Sequence, residues 1–134
     1  MSLRFYALNV DCRDPKTLAD WWATALGWEI TYNEDDEYIV VEPPHHLDES
    51  RAIAVGERLP GLSFIGVPEP KTLKNRLHMD LAPGPGDDQQ AEVGRLEALG
   101  ARRVDVGQGP EVSWVVMADP EGNEFCILSS RGND

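Results

Sequence analysis

A chain of 134 residues, 41% hydrophobic and 27% charged, lies in the range of one compact domain that buries its core without disulfide or metal staples. Twenty-four acidic against twelve basic residues leave a net charge of −12 with no Lys/Arg-rich stripe, so no nucleic acid is expected as partner. No apolar run reaches membrane-span length, no signal-peptide pattern opens the chain, and Cys12 and Cys126 show no CxxC spacing; a cytoplasmic protein with reduced thiols and no membrane partner is expected.

The first periodic segment, RFYALNVD, alternates as a half-buried strand, with Tyr6, Leu8 and Val10 on one face and Phe5, Ala7 and Asn9 on the other. DPKTLADWWATALG then reads as a helix that Asp14 caps, whose first turn suits Pro15 and which Gly27 ends. Leu18, Trp21, Trp22, Ala25 and Leu26 form its apolar stripe, so the two tryptophans are core anchors rather than a ligand cage. WEITYN and EYIVVEP make a strand pair around the acidic turn NEDDE, and GLSFIGV supplies a further strand. Residues 43–61 hold strand-like RAIAV in a stretch rich in Pro, Gly and charge, read mainly as a long surface connection of the kind that forms rims and lids. His45 and His46 within it diverge as neighbours on extended chain and make no shared ligand pair, so an exposed, mobile loop is expected there.

Lys71, Lys74 and Arg76 in KTLKNR concentrate positive charge and read as a solvated connection between two halves. RLHMDL alternates as a strand, with Leu77, Met79 and Leu81 opposite Arg76, His78 and Asp80. PGPGDD is a turn leading into the helix QQAEVGRLEALG, which carries Val93, Leu96 and Leu99 before Gly100. ARRVDV, SWVVMA and NEFCIL supply three more strands, the last two joined by the turn DPEGN, and alternation sets Phe125 and Ile127 against Glu124 and Cys126. Both helices end in Ala-Leu-Gly, at 25–27 and 98–100, and an Asp stands thirteen residues before each of those glycines, at Asp14 and Asp87. The chain therefore repeats one plan twice: strand, helix, then about three strands.

That double plan, with DPKTLADWWATALGW in the first half, VPEPKTLKNRLHMDL between the halves, and LEALGA and WVVMADPEGNEFCIL in the second, resembles the vicinal oxygen chelate superfamily. Within it the chain is most similar to glyoxalase-like domain proteins, of the glyoxalase/bleomycin resistance/dioxygenase fold, over residues 3–130. The resemblance implies an α+β fold: one glyoxalase-like domain over 1–134, made of two βαβββ modules, about 3–69 and about 74–130, whose curved mixed sheets form a cup with the helices outside. Metal-dependent relatives draw His, Gln or Glu ligands from the first and last strands of each module, and the ion polarises vicinal oxygens of the substrate. Carried over position by position, the four ligand sites fall on Ala7, Ile65, His78 and Cys126. A tight divalent site takes three or four donors, and two remain, with Asp80 and Glu124 alternating onto the same side as candidates for a third. No metal and no cofactor are expected on that count.

His78 and Asp80, two apart on one strand face, suit either general-base work or ligand recognition, and equally a satisfied polar pair beneath a loop. Cys126 is read as a small buried apolar residue rather than a nucleophile, and Glu124 as a solvated rim residue. The preferred function is a metal-independent cup for a small organic molecule, with Phe5 and Trp114 as walls and Asn9, Arg76, His78, Asp80, Glu124 and Cys126 as further ligand-binding residues. The competing reading is a lyase, isomerase or hydrolase acting on a carbonyl compound with His78 as its catalytic residue, with or without a divalent metal there; a third is a regulatory or interaction module. The superfamily's habit of pairing modules between chains makes a homodimer an expected arrangement.

Overall fold

The computed structural model describes residues 3–46 and 53–131. It divides into two compact units, Met1–Pro70 and Lys71–Asp134. In the first unit β1 (Ala7–Cys12), α1 (Pro15–Leu26), β2 (Glu29–Glu34), β3 (Tyr38–Glu42) and β4 (Gly61–Gly66) build a four-stranded sheet of order β1-β4-β3-β2. β1 runs parallel to β4 from Ala7↔Gly61 to Cys12↔Gly66, and the other pairings are antiparallel.

The local chemistry follows the sequence closely here. Asp14 accepts the Thr17 amide at 3.2 Å and the Thr17 hydroxyl at 2.7 Å, satisfying a donor that the first helical turn leaves unpaired. Gly27 ends α1 at φ +68, a left-handed conformation that a Cβ would strain. Leu18 and Trp22 lie buried on the inner face of α1 with Ile39, Val41 and Phe64 of the sheet in the core, and Trp21 meets Trp22 edge to face at 5.0 Å. Both tryptophans are core anchors, as their spacing predicts. In the turn between β2 and β3, Asp35 and Asp36 adopt φ of 53 and 58, and the Asn33 side chain accepts the Asp36 amide at 2.9 Å.

The connection after β3 departs from expectation. Pro44–His46 is a 3₁₀ turn, which folds the rings of His45 and His46 together, edge to face at 4.7 Å, instead of letting them diverge along extended chain. The His46 side chain is 6% exposed, with Nδ1 3.3 Å from Glu42 Oε2, so neither the extended geometry nor the exposure predicted for this pair holds. Of the strand-like RAIAV, residues 51–52 lie outside the described residues, and Val55–Glu57 is a second 3₁₀ turn rather than a strand.

The second unit repeats the plan with β5 (Asp80–Leu81), α2 (Gln89–Ala98), β6 (Arg102–Arg103), β7 (Val115–Ala118) and β8 (Glu124–Ile127), in the equivalent order β5-β8-β7-β6. The fold is α+β, with two βαβββ modules carrying two four-stranded mixed sheets. The turn PGPGDD does lead into a helix cap. The α2 cap is Asp88, which accepts the Ala91 amide at 3.0 Å, because Asp87 closes the preceding turn through its amide to the Gly84 carbonyl. The first strand of this unit is shorter than RLHMDL suggests: Leu77 is 82% exposed, and pairing begins where the Cys126 amide reaches the Met79 carbonyl at 2.9 Å. Val93, Leu96, Met117, Phe125 and Ile127 form the buried core of this unit. Asp119 braces the DPEGN loop by accepting the amides of Glu121 and Asn123 at 2.9 and 3.0 Å. Among the described residues, no helix is long and apolar enough to cross a membrane.

Candidate functional site

The parallel pairing of β5 with β8 places Asp80 opposite Cys126. Strand neighbours in register project to the same face of a sheet, so the carboxylate and the thiol stand side by side. His78, two residues before Asp80, brings its Nε2 to 3.4 Å from Asp80 Oδ1. One donor atom from each of His78, Asp80 and Cys126 then lies within 4.8 Å of the other two. Cys126 forms the buried floor of this trio, while His78 and Asp80 are exposed. Burial pushes the Cys126 thiol up, and the adjacent Asp80 carboxylate, which accepts the thiol hydrogen, pushes it further; Lys74 acts in the opposite direction. A thiol held in its protonated form is a poor nucleophile.

The trio opens into a cavity of about 330 Å³, lined entirely by the second unit. Its apolar wall is Val106, Trp114, Val116 and Leu128, and Lys74 and Gln108 add polar groups to the trio. Val116 comes from β7, Leu128 follows β8, and Trp114, 41% exposed, precedes β7. The Val106–Gln108 rim is folded back by Gly107 at φ +88 and tied by the Val106 amide donating to Gln108 Oε1 at 2.8 Å. Periodicity reads ARRVDV as strand throughout, and the one sign that the chain leaves the sheet to form this rim is the following Gly-Gln-Gly.

Glu124 lines the same cavity but is no solvated rim residue. Its side chain is 11% exposed, Oε2 pairs with Lys71 Nζ at 2.8 Å, and Oε1 accepts the Asn75 amide at 2.8 Å. Burial alone would push its pKa up and favour the neutral form, but the Asn75 amide and the Lys71 ammonium outweigh it and hold the carboxyl below the usual range. Lys71 is correspondingly held in place rather than solvated as a linker residue. With both oxygens of Glu124 engaged, the third donor beside His78 and Cys126 is Asp80.

Of the other predicted ligand-binding residues, Arg76 is exposed and outside the cavity lining, and Phe5 and Asn9 are exposed residues of the first unit. Ala7 and Ile65, also in the first unit, carry no donor atoms. The residues present fit a divalent ion: the donor atoms of an imidazole, a carboxylate and a thiol of one unit lie within 4.8 Å of one another, at most about an ångström beyond the separations that metal–ligand bonds of about 2.0–2.3 Å impose.

Residues 7–128 match the family model described as a glyoxalase-like domain. Among solved structures, the chain is similar to hypothetical protein SA1046 from S. aureus, at 17% identity and a TM-score of 0.62, covering 96% of this chain and 94% of that one. It is similar to TnmS3, an antibiotic binding protein from Streptomyces sp. CB03234, at 17% identity and a TM-score of 0.60, covering 96% and 97%. It is also similar to FosX, a fosfomycin resistance protein from Listeria monocytogenes complexed with Mn(II) and sulfate ion, at 9% identity and a TM-score of 0.65, covering 97% and 91%. No curated protein matches the sequence.

Proposed function

The chain belongs to the glyoxalase-like domain family of the vicinal oxygen chelate superfamily, and from that premise we propose that the pocket of its second unit binds a small, partly apolar organic molecule, with no ion needed for that binding. The observation that carries this is the division of the pocket into an apolar wall of Val106, Trp114, Val116 and Leu128 and a polar end of Lys74, His78 and Asp80. Small-molecule sites have this composition, with apolar area supplying affinity and a few polar groups fixing orientation. The charges of Lys74 and Asp80 offset each other, and Glu124 is already neutralised by Lys71. A neutral ligand with a flat apolar face for Trp114 and a hydrogen-bonding group for the His78–Asp80 end therefore suits the pocket best. The likeness to TnmS3, an antibiotic binding protein, supports a ligand of this kind.

A thermal-shift screen of small aromatic and carbonyl compounds against chelator-treated protein tests the reading, because a ligand that binds the folded state raises its melting temperature by mass action. At a hundred times its Kd, a hit adds about 2.7 kcal/mol of stability. The expected result is a hit whose shift is lost in both Trp114→Ala and His78→Ala. Hits that shift both variants as much as the parent protein remove this pocket from the function.

The His78–Asp80 contact favours a second reading, an enzyme acting on a carbonyl compound. Asp80 orients the imidazole, so His78 would take a proton from a carbon beside the carbonyl and return it elsewhere. A divalent ion held by His78, Asp80 and Cys126 would add Lewis acidity toward the carbonyl oxygen. Solvent deuterium appearing in a hit compound with the parent protein, and not with His78→Ala, decides for catalysis over binding alone.

A further inference from the structure

We propose that the polar end of the second-unit pocket recognises a zwitterion of the aromatic α-amino acid class, with Lys74 on its carboxylate, Asp80 on its ammonium and its ring against Trp114. The proposal rests on the ligand reading above and narrows it, from a molecule of no net charge to one that carries both charges.

Four observations carry it. First, Lys74 and Asp80 line one cavity with opposite charges, and among the described residues they close no ion pair on each other. The Lys74 ammonium donates to the Asn75 carbonyl at 3.3 Å, and the Asp80 carboxylate faces the His78 ring at 3.4 Å and accepts the Cys126 thiol hydrogen. Each keeps capacity for a ligand, since an ammonium has several donors and a carboxylate several acceptor sites. Second, the other charged and amide side chains of the cavity are spent within the protein. Both oxygens of Glu124 are taken by Lys71 and Asn75, and Gln108 turns its oxygen to the Val106 amide and its nitrogen to the Val104 carbonyl. Third, the polar end is open to water. The His78 and Asp80 side chains are 42% and 52% exposed, so ionised groups of a ligand keep part of their hydration there while the ring is covered by the apolar wall. Fourth, a volume of about 330 Å³ lies at the small end of ligand pockets, which suits one aromatic side chain on a short head rather than an extended polycyclic molecule.

The two charges decide among ligands that share the same ring. An anion would satisfy Lys74 but meet the negative charge of Asp80, and a cation would satisfy Asp80 but meet the positive charge of Lys74. A neutral amide or ester offends neither, but its hydrogen bonds carry charge on the protein side alone and are weaker than those between two ions. A zwitterion turns each of its charges toward the opposite one. An α-amino acid carries both on a single carbon, and Lys74 and Asp80 belong to one short segment of chain.

The test is calorimetric titration of the chelator-treated chain with L-tryptophan, tryptamine, indole-3-propionate and indole, which share a ring and differ in charge. The expected result is that L-tryptophan binds about tenfold tighter than either singly charged analogue. Lys74→Met should weaken L-tryptophan by about that factor and leave tryptamine unchanged or tighter. Asp80→Asn should weaken L-tryptophan to a similar degree and leave indole-3-propionate unchanged or tighter. A variant that merely loosens the fold weakens all these compounds together, so the crossed pattern reports recognition of charge. The proposal is overturned if either analogue binds as tightly as L-tryptophan, if either variant weakens all the compounds equally, or if no indole compound binds. Indole binding without a preference for L-tryptophan, or a thermal-shift hit lost in Trp114→Ala, would keep the ligand reading when this one fails; absence of both removes the two together.

Discussion

Glu124 controls where His78 can stand. By accepting the Asn75 amide and pairing with Lys71, it ties the segment that runs into His78 and Asp80 to the first residue of β8. Charge-assisted hydrogen bonds of this partly buried kind each contribute about 1.5–3 kcal/mol. Lys71→Met should therefore destabilise the fold by roughly that amount in urea titration. It should do so much less in a Glu124→Gln background, because the ionic partner is already gone; additive effects in the double-mutant cycle would show that the pair is not coupled. Alternation correctly sets Glu124 and Cys126 on one face of a strand, yet the environment of Glu124 was not legible from it. The carboxylate's partners lie 53 and 49 residues away in the chain, and position beside a turn says nothing about a lysine arriving from so far. The same holds for the trio. Asp80 and Cys126 are 46 positions apart, and only strand register brings them side by side.

At the scale of elements, the helix signals in the sequence were local and so were readable. Asp14 meets its partner within three residues, and Pro15, the tryptophan stripe and Gly27 agree with it. In α2 the preceding turn engages the Asp87 amide and the cap is Asp88, a choice between adjacent aspartates that composition does not distinguish. Asp14→Ala should cost about 0.5–2 kcal/mol near neutral pH, and Asp14→Asn, which still caps, much less. The Thr17 hydroxyl and amide hold Asp14 below its usual carboxylate range, so folding binds fewer protons at this residue than unfolding does. Its contribution is thus full above the unfolded value near 4 and is lost as pH falls through the lower folded value. Denaturation of Asp14→Ala and the parent chain should differ at pH 6 and converge as the pH drops below about 4; a constant gap down to pH 2 would mean the carboxylate is not what caps the helix. In the core beneath, Trp22→Ala should cost about 3–5 kcal/mol by calorimetry or urea titration, since a side chain 2% exposed leaves a cavity that its neighbours fill only in part.

For the molecule as a whole, the repeated Ala-Leu-Gly and the repeated spacing from Asp to Gly were enough to expose the duplication, and both units do carry the same strand order. The strength of corresponding strands was not visible in the same way, because alternation reports which face a residue takes and not how far a ladder extends. β1 pairs with β4 over six residues, whereas β5 pairs with β8 over two, and the chain before β5 leaves Leu77 82% exposed. The segment with His78 is consequently anchored at its ends, by Asn75 on Glu124 and by Met79 on Cys126, with no ladder in between. Amide exchange reports such local opening, which runs from near zero free energy in weakly held segments up to the global value in core strands. Peptides spanning 76–78 should therefore exchange orders of magnitude faster than those spanning 8–12. Equal protection of the two segments in the metal-free chain would show that the β5 region is held by more than its two ends.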